Sequence, residues 1–206
     1  MTGNDAGSSP LSRRSVLTAG GAALAVVLGL SGCAQEDALA QQAKAGDNKN
    51  YVAGDGSVTE FAVADRKSPI AIEGKLFDGT AVTAEAFQGK VTVLNFWFAA
   101  CAPCRVEAPT LEALHQDFKS QGVQFFGVNL RDEKATAEAF DKTFSLTYPS
   151  FNDKDGAVLL AVSGLVPPGA VPTTLVLDKQ GRVASRVLGE IQKGTLKSLI
   201  AAAVAE

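Results

Sequence analysis

The sequence predicts an α/β domain with a mixed central sheet and helices on both faces. Two apolar runs, VTVLNFWF at 91–98 and VQFFGVNL at 123–130, have the continuous hydrophobic character of strands buried on both faces of a sheet. A helical pattern separates them, which favours parallel strands joined by a right-handed crossover. Two later strands, at 173–178 and 182–189, are joined by a short KQG turn and are expected to pair antiparallel.

Two further groups of elements complete the predicted domain. Short alternating stretches at 57–64 and 70–82, with an FDGT turn in the second, predict an N-terminal β-hairpin. Helical patterns lie between the strands and at the end of the chain. The predicted helices cover residues 101–120, 133–144, 154–163 and 192–204.

Composition and charge restrict the class of protein. The chain has 206 residues, enough to bury a sizeable core, and its 46% hydrophobic and 20% charged content is ordinary for a globular protein. Its net charge is −3. A nucleic-acid-binding protein would show a basic patch or stripe, so we expect no nucleic-acid partner.

The first 32 residues predict a signal peptide. Arg13 and Arg14 precede an uncharged run from Ser15 to Leu30, whose 16 residues are fewer than the ~20 that cross a bilayer as a helix. Arginines followed by a short apolar region are typical of a signal peptide. The stretch SRRSVL resembles the twin-arginine export motif, which leaves the twin-arginine and general secretory routes both open. Residues 1–32 are therefore expected to be absent from the mature protein.

The run ends in LSGC, which resembles the bacterial lipobox and assigns lipidation to Cys33. The resemblance implies cleavage before Cys33 and a diacylglyceryl thioether on its sulfur. The alternative is an uncleaved anchor that ends in a chance cysteine; either reading puts the rest of the chain outside the cytoplasm. Residues 33–57 are small and polar and predict a flexible tether, followed by a domain at 58–206. If Cys33 is lipidated, its acyl chains hold this domain at the extracytoplasmic face of the bacterial cell membrane.

The motif CAPC, with Cys101 and Cys104 three residues apart, is the main candidate for chemistry. Such a pair can close a structural disulfide, supply half of a zinc site or perform redox reactions. A structural zinc site has four protein ligands, and besides the two cysteines only His115 could serve as one. No metal is therefore expected. A structural disulfide would close a loop of a few residues and would restrain the unfolded chain little. The position of the pair, between a buried strand and a helix, favours redox chemistry.

The two cysteines have different predicted roles. Cys101 begins the helix, whose N-terminus carries partial positive charge and favours a thiolate. Cys104 lies one turn further along and can attack the mixed disulfide that Cys101 forms. Pro103 is near the first helical position, where proline is tolerated and stiffens the turn.

These features together resemble the thioredoxin superfamily, and within it the TlpA/ResA-like membrane-tethered thiol–disulfide oxidoreductases. The stretch NFWFAACAPC resembles the family's strand–CxxC–helix junction, with Trp97 four residues before the first cysteine. Pro109 stands where the family has a helix-kinking proline, and the VPT loop resembles the one whose proline, here Pro172, is cis and faces the cysteines. The likeness covers roughly residues 60–205 and implies a thioredoxin-like fold. The segment between Asn129 and Val171 resembles the extra βα insertion of the TlpA/ResA branch.

The resemblance also implies a substrate surface beside the cysteines. In it, backbone groups next to the cis proline are free to pair with an extended substrate segment. The residues assigned to this surface are Trp97, Ala102, Pro103, Val171 and Pro172. Ala100 stands where relatives often have tryptophan, which removes an aromatic ring from that surface.

A glutamate is the third candidate catalytic residue. Thioredoxin has a buried aspartate six residues before the first cysteine, and this chain has Asn95 there, which cannot titrate. Glu107, one helical turn after Cys104, matches the glutamate that ResA-like proteins have near the pair. We expect Glu107 to accept or relay the Cys104 proton, with a pKa raised by burial. An exposed helix glutamate such as Glu112 is the competing interpretation.

The function expected from these features is an extracytoplasmic thiol–disulfide oxidoreductase that reduces protein disulfides. Its redox group is the Cys101–Cys104 disulfide, and no other cofactor is expected. The uncharged Ala102–Pro103 dipeptide and the carboxyl group of Glu107 favour a reductase, and an oxidase of the same fold is the alternative. Family resemblance implies a membrane thiol-transfer protein as reductant, protein substrates that include apocytochrome c, and a role in cytochrome c maturation. We expect a monomer.

Two alternatives from other classes fit the residues less well. A peroxiredoxin-type peroxidase has threonine three residues, and proline seven residues, before its reactive cysteine. This chain has Phe98 and Leu94 at those places. A copper-delivering protein of the Sco type would use a CxxxC pair and a distant histidine before the last strands, and neither is present.

Overall fold

The computed structural model describes residues 51–206; the predicted signal peptide, Cys33 and most of the predicted tether lie outside the described residues. The strands are β1 Ser57–Glu60, β2 Glu73–Lys75, β3 Ala81–Thr83, β4 Thr92–Trp97, β5 Gln124–Asn129, β6 Ser150–Asn152, β7 Thr173–Leu177 and β8 Val183–Leu188. The α-helices are α1 Ala102–Lys119, α2 Lys134–Phe144, α3 Ala157–Ala161 and α4 Lys193–Ala205, and short 3-10 helices cover Val63–Asp65 and Ala84–Phe87. Within this part of the chain, no helix is both long and apolar enough to cross a membrane.

The main sheet has six strands in the order β1-β8-β7-β4-β5-β6. Strands β4, β5 and β6 run parallel, whereas β7, β8 and β1 are joined to β4 by successive antiparallel pairings. This arrangement confirms the predicted mixed sheet. The central strand β4 is paired on both sides, and all of its residues are buried.

Apolar side chains cover both faces of the sheet. On one face, Leu94 and Phe96 of β4 pack in a cluster with Val158 of α3 and Ile72 beside β2. On the other face, Val93 packs in a cluster with apolar residues of α1 and α4. Because successive side chains of a strand point to opposite faces, a strand covered on both sides must be apolar almost throughout. Helices therefore lie on both faces, as predicted.

The N-terminal hairpin is present, but it is shorter than predicted. Strands β2 and β3 pair antiparallel around the FDGT turn, in which Asp78 accepts a hydrogen bond from the Thr80 N–H at 2.8 Å. Gly79 has a φ of 91°, a conformation that glycine adopts without steric cost. The alternating stretch around β1 does not join this hairpin and pairs with β8 at the sheet edge. Alternation reports which face is buried and does not identify the partner strand.

The segment between β5 and β7 contains the extra strand and helix. Strand β6 extends the sheet beyond β5 in parallel register. Helix α3 covers five residues, fewer than the predicted 154–163, because the chain turns before it. Asp153 accepts hydrogen bonds from the N–H groups of Val158 and Leu159, at 2.8 and 2.9 Å, and Gly156 is left-handed with a φ of 75°. The helix therefore begins only after this turn.

Contacts with the domain begin before its predicted start at residue 58. The Val52 N–H donates to the Gly169 carbonyl at 2.8 Å, and the Gly56 N–H donates to the Leu188 carbonyl at 2.7 Å. The Tyr51 ring lies edge-on to the Phe98 ring, with centroids 5.5 Å apart. The end of the segment assigned to the tether thus runs along the domain.

Candidate active site

The two cysteines of the CAPC motif lie at the junction of β4 and α1. Cys101 is the N-cap of α1, and its sulfur accepts a hydrogen bond from the Cys104 N–H at 3.3 Å. The two residues form a disulfide with an S–S distance of 2.09 Å and a Cα–Cα distance of 5.3 Å. Pro103 lies in the first turn, where its missing N–H leaves no helical hydrogen bond unmade. The N–H that points at Cys101 would stabilise its thiolate in the reduced protein.

Sheet pairing brings the proline loop to the cysteines. Strands β4 and β7 are antiparallel, with Phe96 opposite Thr173, so the end of β4 lies beside the beginning of β7. The Val171–Pro172 peptide bond is cis, as the resemblance implies. Val171 is buried in the same apolar cluster as Cys101 and Cys104. The loop that the sequence assigned to the substrate surface therefore lies against the disulfide.

The backbone of this loop is not free, in contrast to the expectation from sequence. The Val171 N–H donates to the Val52 carbonyl at 3.1 Å. Together with the bond from the Val52 N–H to the Gly169 carbonyl, this forms an isolated parallel β-bridge between Val52 and Ala170. The polar, small sequence before β1 carries no period that would have indicated this pairing.

The disulfide lies in an apolar environment. Cys101 is 0% exposed and Cys104 is 2% exposed. The surrounding cluster of buried residues also contains Trp97, Phe98, Ala108, Ala137, Phe140 and Val171. Tyr51 packs against this cluster from the N-terminal segment. The Trp97 and Phe140 rings are 4.3 Å apart between centroids, and Trp97 is 3% exposed, so its assignment to the substrate surface is wrong and its ring is held in the interior against α2.

Glu107 is a buried carboxyl group on α1, one turn beyond Cys104, with 1% of its surface exposed. Its two oxygens accept hydrogen bonds from the Asn95 side-chain amide at 2.7 Å and from the Ile191 N–H at 3.0 Å. Burial is the largest influence on its pKa and raises it to about 8, although the two hydrogen bonds act in the opposite direction. Glu107 is therefore mostly protonated at neutral pH. The competing interpretation, an exposed helix glutamate, is wrong for this residue.

Sequence reasoning missed the groups that hold this carboxyl. Asn95 was recognised only as a residue that cannot titrate, yet its amide donates both to Glu107 and to the Thr174 hydroxyl, the latter at 3.1 Å. An asparagine inside a buried apolar strand was the available signal, because a buried polar group needs partners. Ile191 contributes a backbone N–H from 84 residues away, which no local pattern reveals.

Charged residues surround the turn before Cys101. Asp132 accepts hydrogen bonds from the Ala99 N–H at 2.6 Å and from the Asn129 amide at 2.8 Å, which fixes this turn. The Arg131 guanidinium lies 4.3 Å from the centre of the Phe98 ring, a cation–π contact. These contacts tie the loop after β5 to the loop after β4.

The site contains a redox-active pair, a buried acid and a neighbouring backbone edge. Among residues 51–206, no group of three or more His, Cys, Asp or Glu side chains is arranged to hold a metal ion. Leu94 and Phe98, which occupy the positions of the peroxidase proline and threonine, are buried apolar side chains and offer no hydroxyl group. The arrangement supports thiol–disulfide exchange.

Comparisons with known proteins agree with this chemistry. The sequence profile of the AhpC/TSA family matches residues 66–186. The thiol-disulfide oxidoreductase ResA of Geobacillus kaustophilus is 33% identical over 145 residues, which cover 70% of this chain and 75% of the relative. ResA of Bacillus subtilis is 32% identical over 119 residues, or 58% of this chain and 64% of the relative.

Solved structures of thiol–disulfide proteins also resemble this chain. A secreted thiol-disulfide isomerase from Corynebacterium glutamicum is similar with a TM-score of 0.66 and 30% identity, over 76% of this chain and 97% of that one. A DsbF homologue from Corynebacterium diphtheriae has a TM-score of 0.63 and 33% identity, over 72% and 94% of the two chains. The chain therefore belongs to the AhpC/TSA family and, within it, to the ResA-like thiol–disulfide oxidoreductases of thioredoxin-like fold, whose redox group is the Cys101–Cys104 disulfide.

Proposed function

We propose that the protein is a membrane-tethered, extracytoplasmic reductase of disulfides in other proteins. The observation that carries the proposal is the Cys101–Cys104 disulfide at the N-terminus of α1, beside the Val171–Pro172 loop. The similarity to a protein described as secreted supports a place outside the cytoplasm. The signal-peptide and lipobox patterns of the sequence support the same place.

The reaction follows from the positions of the two sulfurs. In the reduced protein, the Cys101 thiolate attacks a substrate disulfide, forms a mixed disulfide and expels one substrate sulfur as thiolate. Cys104 then gives up its proton and attacks the Cys101 sulfur, which releases the second substrate thiol. The substrate disulfide gains two electrons and the Cys101–Cys104 pair loses two. A membrane thiol-transfer protein would return them.

The surroundings of the pair favour a reductase over an oxidase. A strong oxidant needs its reactive thiolate to be strongly stabilised, since that stabilises the reduced form. Ala102 and Pro103 supply no charge and no histidine, and Glu107, which is mostly protonated at neutral pH, adds no positive charge that would stabilise a thiolate. The stabilisation that the Cys101 thiolate does receive comes from the N-terminus of α1 and from the Cys104 N–H.

Glu107 is proposed to control the proton of Cys104. Its position one turn from Cys104, its burial and its pKa of about 8 suit a group that exchanges a proton near neutral pH. Asn95 and the Ile191 N–H orient the carboxyl group. Because Glu107 is mostly protonated at neutral pH, it would relay the Cys104 proton by passing on its own, and it would accept that proton directly only when it is ionised.

The proposed substrate is an extended segment of another protein. It would lie across Ala102 and Pro103 and pair with the backbone of Val171 next to Pro172. Apocytochrome c is a candidate substrate, which would place the protein in cytochrome c maturation. We propose that the protein acts as a monomer.

Anchoring is proposed to depend on Cys33. Removal of residues 1–32 would leave Cys33 as the first residue, with a lipid on its sulfur and the tether behind it. We expect mass spectrometry of the native protein to show an N-terminal Cys33 that carries a diacylglyceryl group. An intact N-terminus or an unmodified Cys33 would contradict the anchor.

The roles of the two cysteines are tested by trapping. In Cys104→Ser the resolving thiol is absent, so covalent complexes with substrate proteins should accumulate through Cys101 and should disappear on treatment with dithiothreitol. Cys101→Ser, in the same host and compartment, is the matched control and should trap no partner. Complexes that form with Cys101→Ser instead would reverse the assignment.

The direction of the reaction is tested by the reduction potential of the pair. Thioredoxin has a potential of about −270 mV and the oxidant DsbA about −120 mV. We expect the Cys101–Cys104 pair to lie near the thioredoxin value in a titration against reduced and oxidised dithiothreitol. A value near that of DsbA would favour the oxidase alternative.

The role of Glu107 is tested with Glu107→Gln. We expect this variant to slow the attack of Cys104 on a Cys101–glutathione mixed disulfide at pH 7 by about a hundredfold, the lower end of the range for a positioned proton acceptor. Glu112→Gln is the matched control, because Glu112 lies on the same helix and hydrogen-bonds to Gln116 and Thr147 at its surface. Equal rates in the two variants would reduce Glu107 to a structural role.

The same two variants should also differ in how the free energy of unfolding depends on pH. The pKa of Glu107 is about 8 in the folded protein and 4.5 ordinarily, so the folded state holds a proton that the unfolded state releases. The free energy of unfolding should therefore fall as the pH rises from about 5 to about 8. Asp141, whose pKa is raised to about 6, contributes a slope of the same sign below that pH, so denaturant titrations of Glu107→Gln should lose the slope between about pH 6 and 8, and Glu112→Gln should keep it.

A further inference from the structure

The N-terminal segment occupies the backbone edge beside the disulfide. This 51–53 segment consists of Tyr51, Val52 and Ala53. The Val52 N–H donates to the Gly169 carbonyl at 2.8 Å, and the Val52 carbonyl accepts from the Val171 N–H at 3.1 Å. An extended chain that is paired through both its N–H and its carbonyl adds one strand residue to this edge.

The paired group is the one that the proposed substrate would use. Val171 precedes the cis bond to Pro172 and packs in the cluster that contains both cysteines. A backbone N–H donates well to one acceptor at a time. A substrate segment that pairs with Val171 must therefore displace the Val52 carbonyl.

The same segment contributes to the cover of the cysteines. Tyr51 packs against their cluster, and its ring lies 5.5 Å from the Phe98 ring. Cys101 is 0% exposed in this arrangement. A sulfur that attacks another protein's disulfide must be reached by that disulfide, so the site has to open before it can react.

The segment is held in place from its C-terminal side. Strand β1 begins at Ser57 and pairs with β8, and the Gly56 N–H donates to the Leu188 carbonyl at 2.7 Å. Gly54 lies so close to this strand end that a Cβ atom there would come within 2.4 Å of the Leu188 carbonyl carbon. Because it is attached to the domain a few residues away, the segment is present at high effective concentration.

We propose that the 51–53 segment is an intramolecular pseudosubstrate that closes the active site until an extended peptide replaces it at Val171. This inference rests on the proposed function. It identifies the ligand that fits the edge as an extended polypeptide, which pairs through its backbone in the same parallel sense as Val52. Each bond to be exchanged is a neutral backbone hydrogen bond, so a peptide that makes the same bonds can compete.

The test is Val52→Pro, which removes the N–H that donates to Gly169. Loss of one neutral hydrogen bond should shift the docking equilibrium about two- to tenfold towards the open state. Val52→Ala keeps the N–H and is the matched control. Gly54→Ala is a second, independent route to the open state, because its Cβ would collide with the backbone of Leu188.

Two measurements follow the opening. Hydrogen exchange at the Val171 amide, measured by NMR on the full-length chain, reports undocking and needs no redox activity. The second uses the same chain with Cys33→Ser and Cys104→Ser, which leaves Cys101 as its single thiol. Its thiolate attacks the cysteine sulfur of a short peptide that carries thionitrobenzoate as a mixed disulfide. A Cys101–peptide disulfide forms, the original S–S bond breaks, and thionitrobenzoate leaves with the electron pair and is followed by absorbance.

We expect Val52→Pro and Gly54→Ala to increase both the exchange at Val171 and the rate of thionitrobenzoate release by about two- to tenfold. Val52→Ala should resemble the parent. Unchanged exchange in Val52→Pro and Gly54→Ala would overturn the docking, and faster exchange with an unchanged rate would overturn the closure. Equal acceleration in Val52→Ala would overturn the backbone pairing as its cause. A peptide that reacts with none of the proteins would instead overturn the proposed function, and exchange at Val171 would then decide the docking alone.

Discussion

The site depends on one constraint: β4 is buried on both faces and hydrogen-bonded on both sides. A strand in that position must be apolar almost throughout, and it can leave the sheet only at its end. Its antiparallel pairing with β7 sets Phe96 opposite Thr173, which brings the start of α1 and the Val171–Pro172 loop together. The cysteines, the helix N-terminus and the cis proline meet because of this register, since a shift by one residue would turn every side chain of β4 to the opposite face.

Much of this arrangement could be predicted from sequence, because local sequence patterns indicate it. The buried runs of β4 and β5, the CAPC motif between strand and helix, and the VPT loop each carry a signal within a few residues. The support of Glu107 could not be read in this way. Glu107 is held by the Asn95 side-chain amide and the Ile191 backbone N–H. The identity of a residue does not indicate which group its backbone N–H will bind. The pairing of Val52 with the proline loop was missed for the same reason.

The buried carboxyl group of Glu107 costs folding stability but gives the site a group that can titrate. A carboxyl group in an apolar interior is tolerated because it keeps its proton, and two donors already point at its oxygens. When Glu107 ionises, those donors stabilise the anion while the surrounding apolar groups destabilise it. The two effects oppose each other, which holds the ionisation of Glu107 near neutral pH.

Trp97 gives the site an intrinsic optical signal. It is the single tryptophan of the chain, so the indole emission of the protein comes from one ring. That ring is 3% exposed and lies in the cluster that contains both sulfurs. Disulfides quench nearby indoles by accepting an excited electron, whereas thiols do so less. The fluorescence of the unlabelled protein should therefore rise when the pair is reduced and fall when it closes, so that the protein reports its own oxidation state.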